Sequence, residues 1–155
     1  QIGRYFNQVG RDAADSATFY QNAEDEANAE IWRDNRTTAF DSSLVYFKSA
    51  VDAKPENTSY LEEYAIISHI NGYLDQAAEA FAKVTQLAPQ NEDSWISLGD
   101  CHFNSRKWKD AIAAYEEVIN LDPNNREILE RLHDLYGETG DHAKQAEMTK
   151  KLESL

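Results

Sequence analysis

The sequence predicts an all-α fold, a solenoid of helix–turn–helix units of 34 residues, and three observations carry that expectation. All three prolines, Pro55, Pro89 and Pro123, stand 34 residues apart, and each is followed two residues later by an asparagine: Asn57, Asn91 and Asn125. The same offset of 34 relates Leu61, Trp95 and Leu129; Tyr64, Leu98 and Leu132; Ala77 and Ala111; and Phe47, Phe81 and Tyr115. Within a unit the apolar residues recur at three- and four-residue steps, as in Leu61, Tyr64 and Ala65, then Ala77, Ala80, Phe81 and Val84, with polar residues between them.

Each unit therefore reads as two helices. Gly72 and Gly140 break the pattern midway through their units, and the residue before each proline is turned away from helix, so these steps mark the turns within and between units. The boundaries follow as 58–91, 92–125 and a final unit at 126–155, preceded by an opening unit at 1–57, all in one domain. In that opening stretch Phe40, Ser43, Phe47, Ala50 and Pro55 have the spacing of a second helix. Ahead of them Ile2, Phe6, Val9, Ala13, Tyr20, Ala27 and Ile31 share one helical stripe that no proline interrupts and only Gly3 and Gly10 weaken. The expectation is an opening unit whose first helix is extended by about four turns.

Trp95, Leu98, Gly99, Ala111, Tyr115 and Pro123 together resemble a full tetratricopeptide repeat signature, and Tyr64, Ala65, Ala77, Phe81 and Pro89 resemble it one unit earlier. The resemblance implies a right-handed α-solenoid of about three to four units. Small residues at Ala65, Gly99, Ala77 and Ala111 would let paired helices approach, and the large ones would fill the gaps between pairs. The last unit departs from the pattern with His133, Gln145 and Thr149 in the small and aromatic slots, as a terminal repeat facing water would.

Composition narrows the function. In 155 residues there are 15 Lys and Arg against 28 Asp and Glu, a formal charge of -13, which opposes nucleic-acid binding because that affinity rests on basic residues displacing counterions. No stretch approaches the roughly 18 consecutive apolar residues of a membrane span, so a soluble chain is expected. Cys101 is the only cysteine, which excludes an intrachain disulfide and a thiolate zinc site and leaves the compartment open. The chain begins at Gln1 rather than Met, which fits a trimmed start in a cytoplasmic protein or a processed export signal in a cell-envelope one. The triplets at Asn35 and Asn57 would be glycosylation acceptors only in a eukaryotic secretory protein.

In stacked helix pairs of this kind the first helices line the concave side. The positions beside the packing residues are then Ser59, Glu62, Ile66, His69 and Ile70 in one unit, Asp93, Ile96, Asp100, Phe103 and Asn104 in the next, and Glu127, Glu130, Asp134 and Glu138 in the last. Seven of these are acidic and none is Lys or Arg. Family members that serve as chaperone adaptors hold acidic peptide tails with a lysine, asparagine and arginine clamp, and this face has the opposite sign. Donors occur only at Arg4, Asn7 and Arg11. Ile66, Ile70, Ile96 and Phe103 would form an apolar stripe within the acidic groove, unless the long opening helix covers some of them.

Asp100, Cys101 and His102 have the letters of a nucleophile and its base. Consecutive helix residues point about 100° apart, so they cannot form a triad, and Cys101 reads as a small half-buried packing residue. His69, His102, His133 and His142 show no i, i+4 metal pair, and no glycine-rich phosphate loop occurs, so neither metal nor cofactor is expected. The expected function is a non-enzymatic protein–protein interaction scaffold. Its partner would be a protein or peptide, neutral to basic, with an apolar anchor, held at Glu62, Ile66, His69, Ile70, Asp93, Ile96, Asp100, Phe103, Asn104, Glu130 and Asp134. A second reading, a structural unit that self-assembles as a homo-oligomer through its terminal helices, stays open.

Overall fold

The computed structural model describes Gln8, Arg11, Asp12 and residues 26–155, with side chains described at those first three positions, at Asn35 and from Thr38 onward. Seven helices run in chain order: α1 Glu26–Ala53, α2 Thr58–Ile70, α3 Leu74–Leu87, α4 Glu92–Asn104, α5 Trp108–Leu121, α6 Arg126–Thr139 and α7 His142–Glu153. The architecture is all-α, in antiparallel pairs. The first helices of successive units begin at Thr58, Glu92 and Arg126, and the second helices at Leu74, Trp108 and His142, so the 34-residue period of the sequence is also the period of the backbone.

Capping explains the asparagines. Asn57, Asn91 and Asn125 precede α2, α4 and α6, and each side-chain oxygen accepts from the backbone N–H three residues on, that of Tyr60, Ser94 and Ile128. The prolines two residues earlier close the preceding helix. Asn125 does further work, its Nδ2 donating to Glu92 Oε1 at 2.8 Å and so joining the starts of α4 and α6. The mid-unit turns repeat as well, because Gly72, Arg106 and Gly140 all have positive φ, at 79°, 58° and 79°. Gly72 and Gly140 are legible turn residues. Arg106 is not, since a side chain there pays for the left-handed conformation.

The chain divides into two compact units, Gln1–Gly72 and Tyr73–Leu155. In the first, α1 packs on α2. Ala39, Phe40, Ser43 and Phe47 of α1 and Leu61, Ala65, Ile67 and Ser68 of α2 are buried, at the three- and four-residue steps of one face each. The long helix differs from the expectation: Ala27, Ile31, Phe40 and Phe47 all belong to α1, which runs unbroken to Ala53. No glycine or proline lies between Glu26 and Ala53, so nothing in the chain places a turn between a first and a second helix there. Ile2, Phe6, Val9, Ala13 and Tyr20 of the expected stripe lie outside the described residues, as do Arg4 and Asn7, while Arg11 is exposed.

In the second unit each helix from α3 to α7 packs on the next. Its core joins Ala111, Tyr115, Val118 and Ile119 of α5 to Ile128, Leu129, Leu132, Leu135 and Tyr136 of α6 and Met148 of α7. Gly99 is buried on α4, where it lies against the ring of Tyr115. The terminal helix is sparsely packed, with Met148 its one buried residue, and a water-facing last helix has this character.

Candidate functional site

The groove positions expected from sequence fall in both units. Glu62, Ile66, His69 and Ile70 lie on α2 in the first, where Ile66 and Ile70 are exposed at 36% and 44% and Glu62 and His69 are half-buried. Asp93, Ile96, Asp100, Phe103 and Asn104 lie on α4, and Glu130 and Asp134 on α6, in the second. There the helices enclose a hollow of about 350 Å3 lined by Asp100, Phe103, Asn104, Tyr115, Arg131 and Asp134. Four of its six lining residues are expected groove residues. Asp93 is exposed on the first turn of α4, and Glu130 accepts from Arg126 Nε at 3.0 Å. Glu130 and Asp134 also line a second hollow of about 510 Å3, with Arg126, His133, Thr149, Leu152 and Glu153.

Two expectations are corrected here. Ile96 is not a free wall of the groove, because it is half-buried and packs against the core of the second unit. The face is also not without bases: Arg131 lines the hollow, and its Nη1 donates to Asp100 Oδ1 and, at 3.1 Å, to the Tyr115 hydroxyl oxygen. Tyr115 in turn donates its hydroxyl to the same Asp100 oxygen at 2.5 Å, and Arg131 Nη2 donates to Glu127 Oε1 at 2.8 Å. Arg131 stands four residues after Glu127 and three before Asp134, so helical spacing already put it on the counted face, and a tally along the 34-residue offset alone passed over it.

The network shapes the local electrostatics. Burial, then the bond to Asp100, pushes the Tyr115 hydroxyl up, so Tyr115 stays neutral and donates. Burial would lower the Arg131 value, but the bond to Tyr115 and the Asp100 charge outweigh it, and the guanidinium stays charged above the Tyr115 ring at 5.7 Å. Phe103 stands beside this network with 45% of its surface exposed, its ring edge-on to Trp108 at 5.3 Å between centroids. The result is a hollow with a polar, internally satisfied floor, an aromatic wall and a carboxylate rim at Asp134.

Cys101 is fully buried rather than half-buried, and burial, then the Asp100 charge, pushes its thiol up to about 12, away from the thiolate that reacts. Among the described residues no three His, Cys, Asp or Glu side chains gather as a metal ion would require, and no helix is long and apolar enough to cross a membrane.

Helix pairs in a 34-residue register, capped and turned alike in each unit, define the class: an all-helical repeat protein with recesses between successive first helices. A tetratricopeptide repeat family model matches residues 70–133, and the chain belongs to the tetratricopeptide repeat proteins. Tetratricopeptide repeat protein 21A of Mus musculus is 27% identical over 101 residues, 65% of this chain and 8% of that protein. The peroxisomal targeting signal receptor of Komagataella phaffii is 27% identical over 153 residues, 96% of this chain and 26% of the receptor. The chain thus spans about a quarter or less of the length of these relatives. Among solved structures, a MamA structure superposes with a TM-score of 0.69 at 16% identity, over 99% of this chain and 91% of that one, a likeness of fold.

Proposed function

We propose that the chain is a protein-interaction scaffold that holds a protein or peptide segment against the first helices of its repeats, and that it carries out no reaction of its own. The carrying observation is the hollow between α4 and α6, where the exposed Phe103 ring stands over a satisfied polar floor and below the exposed carboxylate of Asp134. An apolar anchor and a carboxylate rim suit a neutral to basic segment with one large apolar residue. The exposed Ile66 and Ile70 beside Glu62 and His69 offer similar chemistry in the first unit. We read residues 1–155 as one domain of an opening unit and three repeats. A relative named as a targeting-signal receptor supports a segment-binding role.

Selection from a random peptide display library against the whole chain tests this. The expected winners carry Lys or Arg beside one large apolar residue and are lost when Phe103→Ala is used as bait. Winners dominated by Asp and Glu, or indifferent to Phe103, would contradict it. Self-assembly through the terminal helices finds little support at the C-terminal end. The hollow beside α7 is lined by charged Arg126, Glu130, Asp134 and Glu153, and copies would have to desolvate them. Light scattering separates the readings, since self-assembly requires mass to rise with concentration.

A further inference from the structure

We propose that the hollow between α4 and α6 seats one uncharged, apolar side chain of a bound peptide, and that Arg131 sets this preference by occupying Asp100. This deepens and rests on the peptide-binding reading above. From sequence alone Asp100 would invite a cation. In the structure its Oδ1 already receives two donors, Arg131 Nη1 from α6 and the Tyr115 hydroxyl from α5. A second cation would have to share a carboxylate that is already matched and lie beside a fixed guanidinium, which like charge disfavours.

An anion fares no better. Arg131 spends Nη1 on Asp100 and Tyr115 and Nη2 on Glu127, and Asp134 at the rim repels a carboxylate. The contact surface left to a ligand is the Phe103 ring, held edge-on by Trp108. A volume of about 350 Å3 suits one large side chain rather than a turn of peptide. Asp93, Glu130 and Asp134 are exposed and take the flanking basic residues of the partner. The overall acidity of the face and the neutrality of its anchor site are thus separate properties, and Arg131 divides them.

The test is a nuclear magnetic resonance titration of the whole, isotope-labelled chain with two small probes, benzyl alcohol and n-butylguanidinium. In the wild type, benzyl alcohol should shift the Phe103 ring and Arg131 Nε resonances, and n-butylguanidinium at the same concentration should not. Arg131→Gln leaves a guanidinium-sized gap beside Asp100, so n-butylguanidinium should bind there about tenfold tighter than to the wild type, the scale of restoring one partly exposed charge pair. Arg131→Lys keeps the charge and should keep the wild-type preference. Asp100→Asn should exclude n-butylguanidinium, and circular dichroism checks that each variant folds. Wild-type binding of n-butylguanidinium at Phe103 as tight as that of benzyl alcohol would overturn the proposal, as would no shift at Phe103 with either probe. The wild-type and Arg131→Lys titrations decide it even where Arg131→Gln does not fold. Because the probes need no peptide, failure here leaves the scaffold reading standing, and failure of the display selection leaves this result standing.

Discussion

The Cβ that Gly99 lacks would stand 2.3 Å from Cε1 of Tyr115, well inside van der Waals contact. Tyr115 is fully buried and its hydroxyl is tied to Asp100 and Arg131, so the ring cannot swing aside cheaply. Gly99→Ala should therefore destabilise the fold by about 1–3 kcal/mol by overpacking, although alanine is the better helix former. Ala111→Leu, at another fully buried position, should act in the same direction, whereas exposed Lys109→Ala should stay within about 0.5 kcal/mol. Urea unfolding measures all three, and equal effects would contradict the register.

Arg106 is the one described non-glycine residue with positive φ, at the turn position held by glycine 34 residues before and after it. Its side chain is exposed, so removing it sacrifices no core packing. Arg106→Gly should stabilise the chain by about 0.5–1 kcal/mol through relief of left-handed strain. A lower unfolding midpoint in the variant would show that the arginine makes a compensating contact.

The capping asparagines should be individually measurable. Asn57→Ala should cost about 1 kcal/mol through loss of the cap to Tyr60, and Asn125→Ala should cost more, since Asn125 also holds Glu92. Asn124→Ala, one residue away and exposed, is the control and should stay within about 0.5 kcal/mol. Equal effects at Asn124 and Asn125 would remove the capping account.

His102 gives the chain a mild pH dependence. Burial holds its imidazole below the ordinary 6.5, opposed by the Asp110 charge and aided by that of Lys107. A group with a depressed folded value binds protons more readily when unfolded, so its stabilising effect is complete above pH 6.5 and is lost as pH falls through the lowered folded value. Thermal unfolding between about pH 7.5 and 5 should show a falling midpoint below about 6.5, with a shallower fall in His102→Gln. Identical slopes would contradict the assignment.

The fold was legible because its determinants are periodic. Prolines, asparagines and small residues at a 34-residue spacing write the helix starts directly, and Thr58, Glu92 and Arg126 begin helices where the units were drawn. Two features escaped for physical reasons. Arg106 adopts a turn conformation that its residue type disfavours, so composition gives no signal. Arg131 reaches the hollow on a long side chain whose partner, Asp100, is 31 residues away, and only the packing of α4, α5 and α6 brings Tyr115 to both. Ile96 misled for the opposite reason: an apolar residue on the counted face turned partly into the core.

The measurement that tests the central claim most directly is a fluorescence anisotropy titration of the whole chain with two peptides, one bearing a single Phe flanked by lysines and the other its glutamate copy. The lysine peptide should bind more tightly, and its advantage should shrink as salt rises from about 0.05 to 0.5 M and the screening length contracts from beyond about 10 Å to a few ångströms. Phe103→Ala should weaken binding at every salt concentration, and Asp134→Asn mainly at low salt. Equal affinities, or tighter binding of the glutamate copy, would contradict the account.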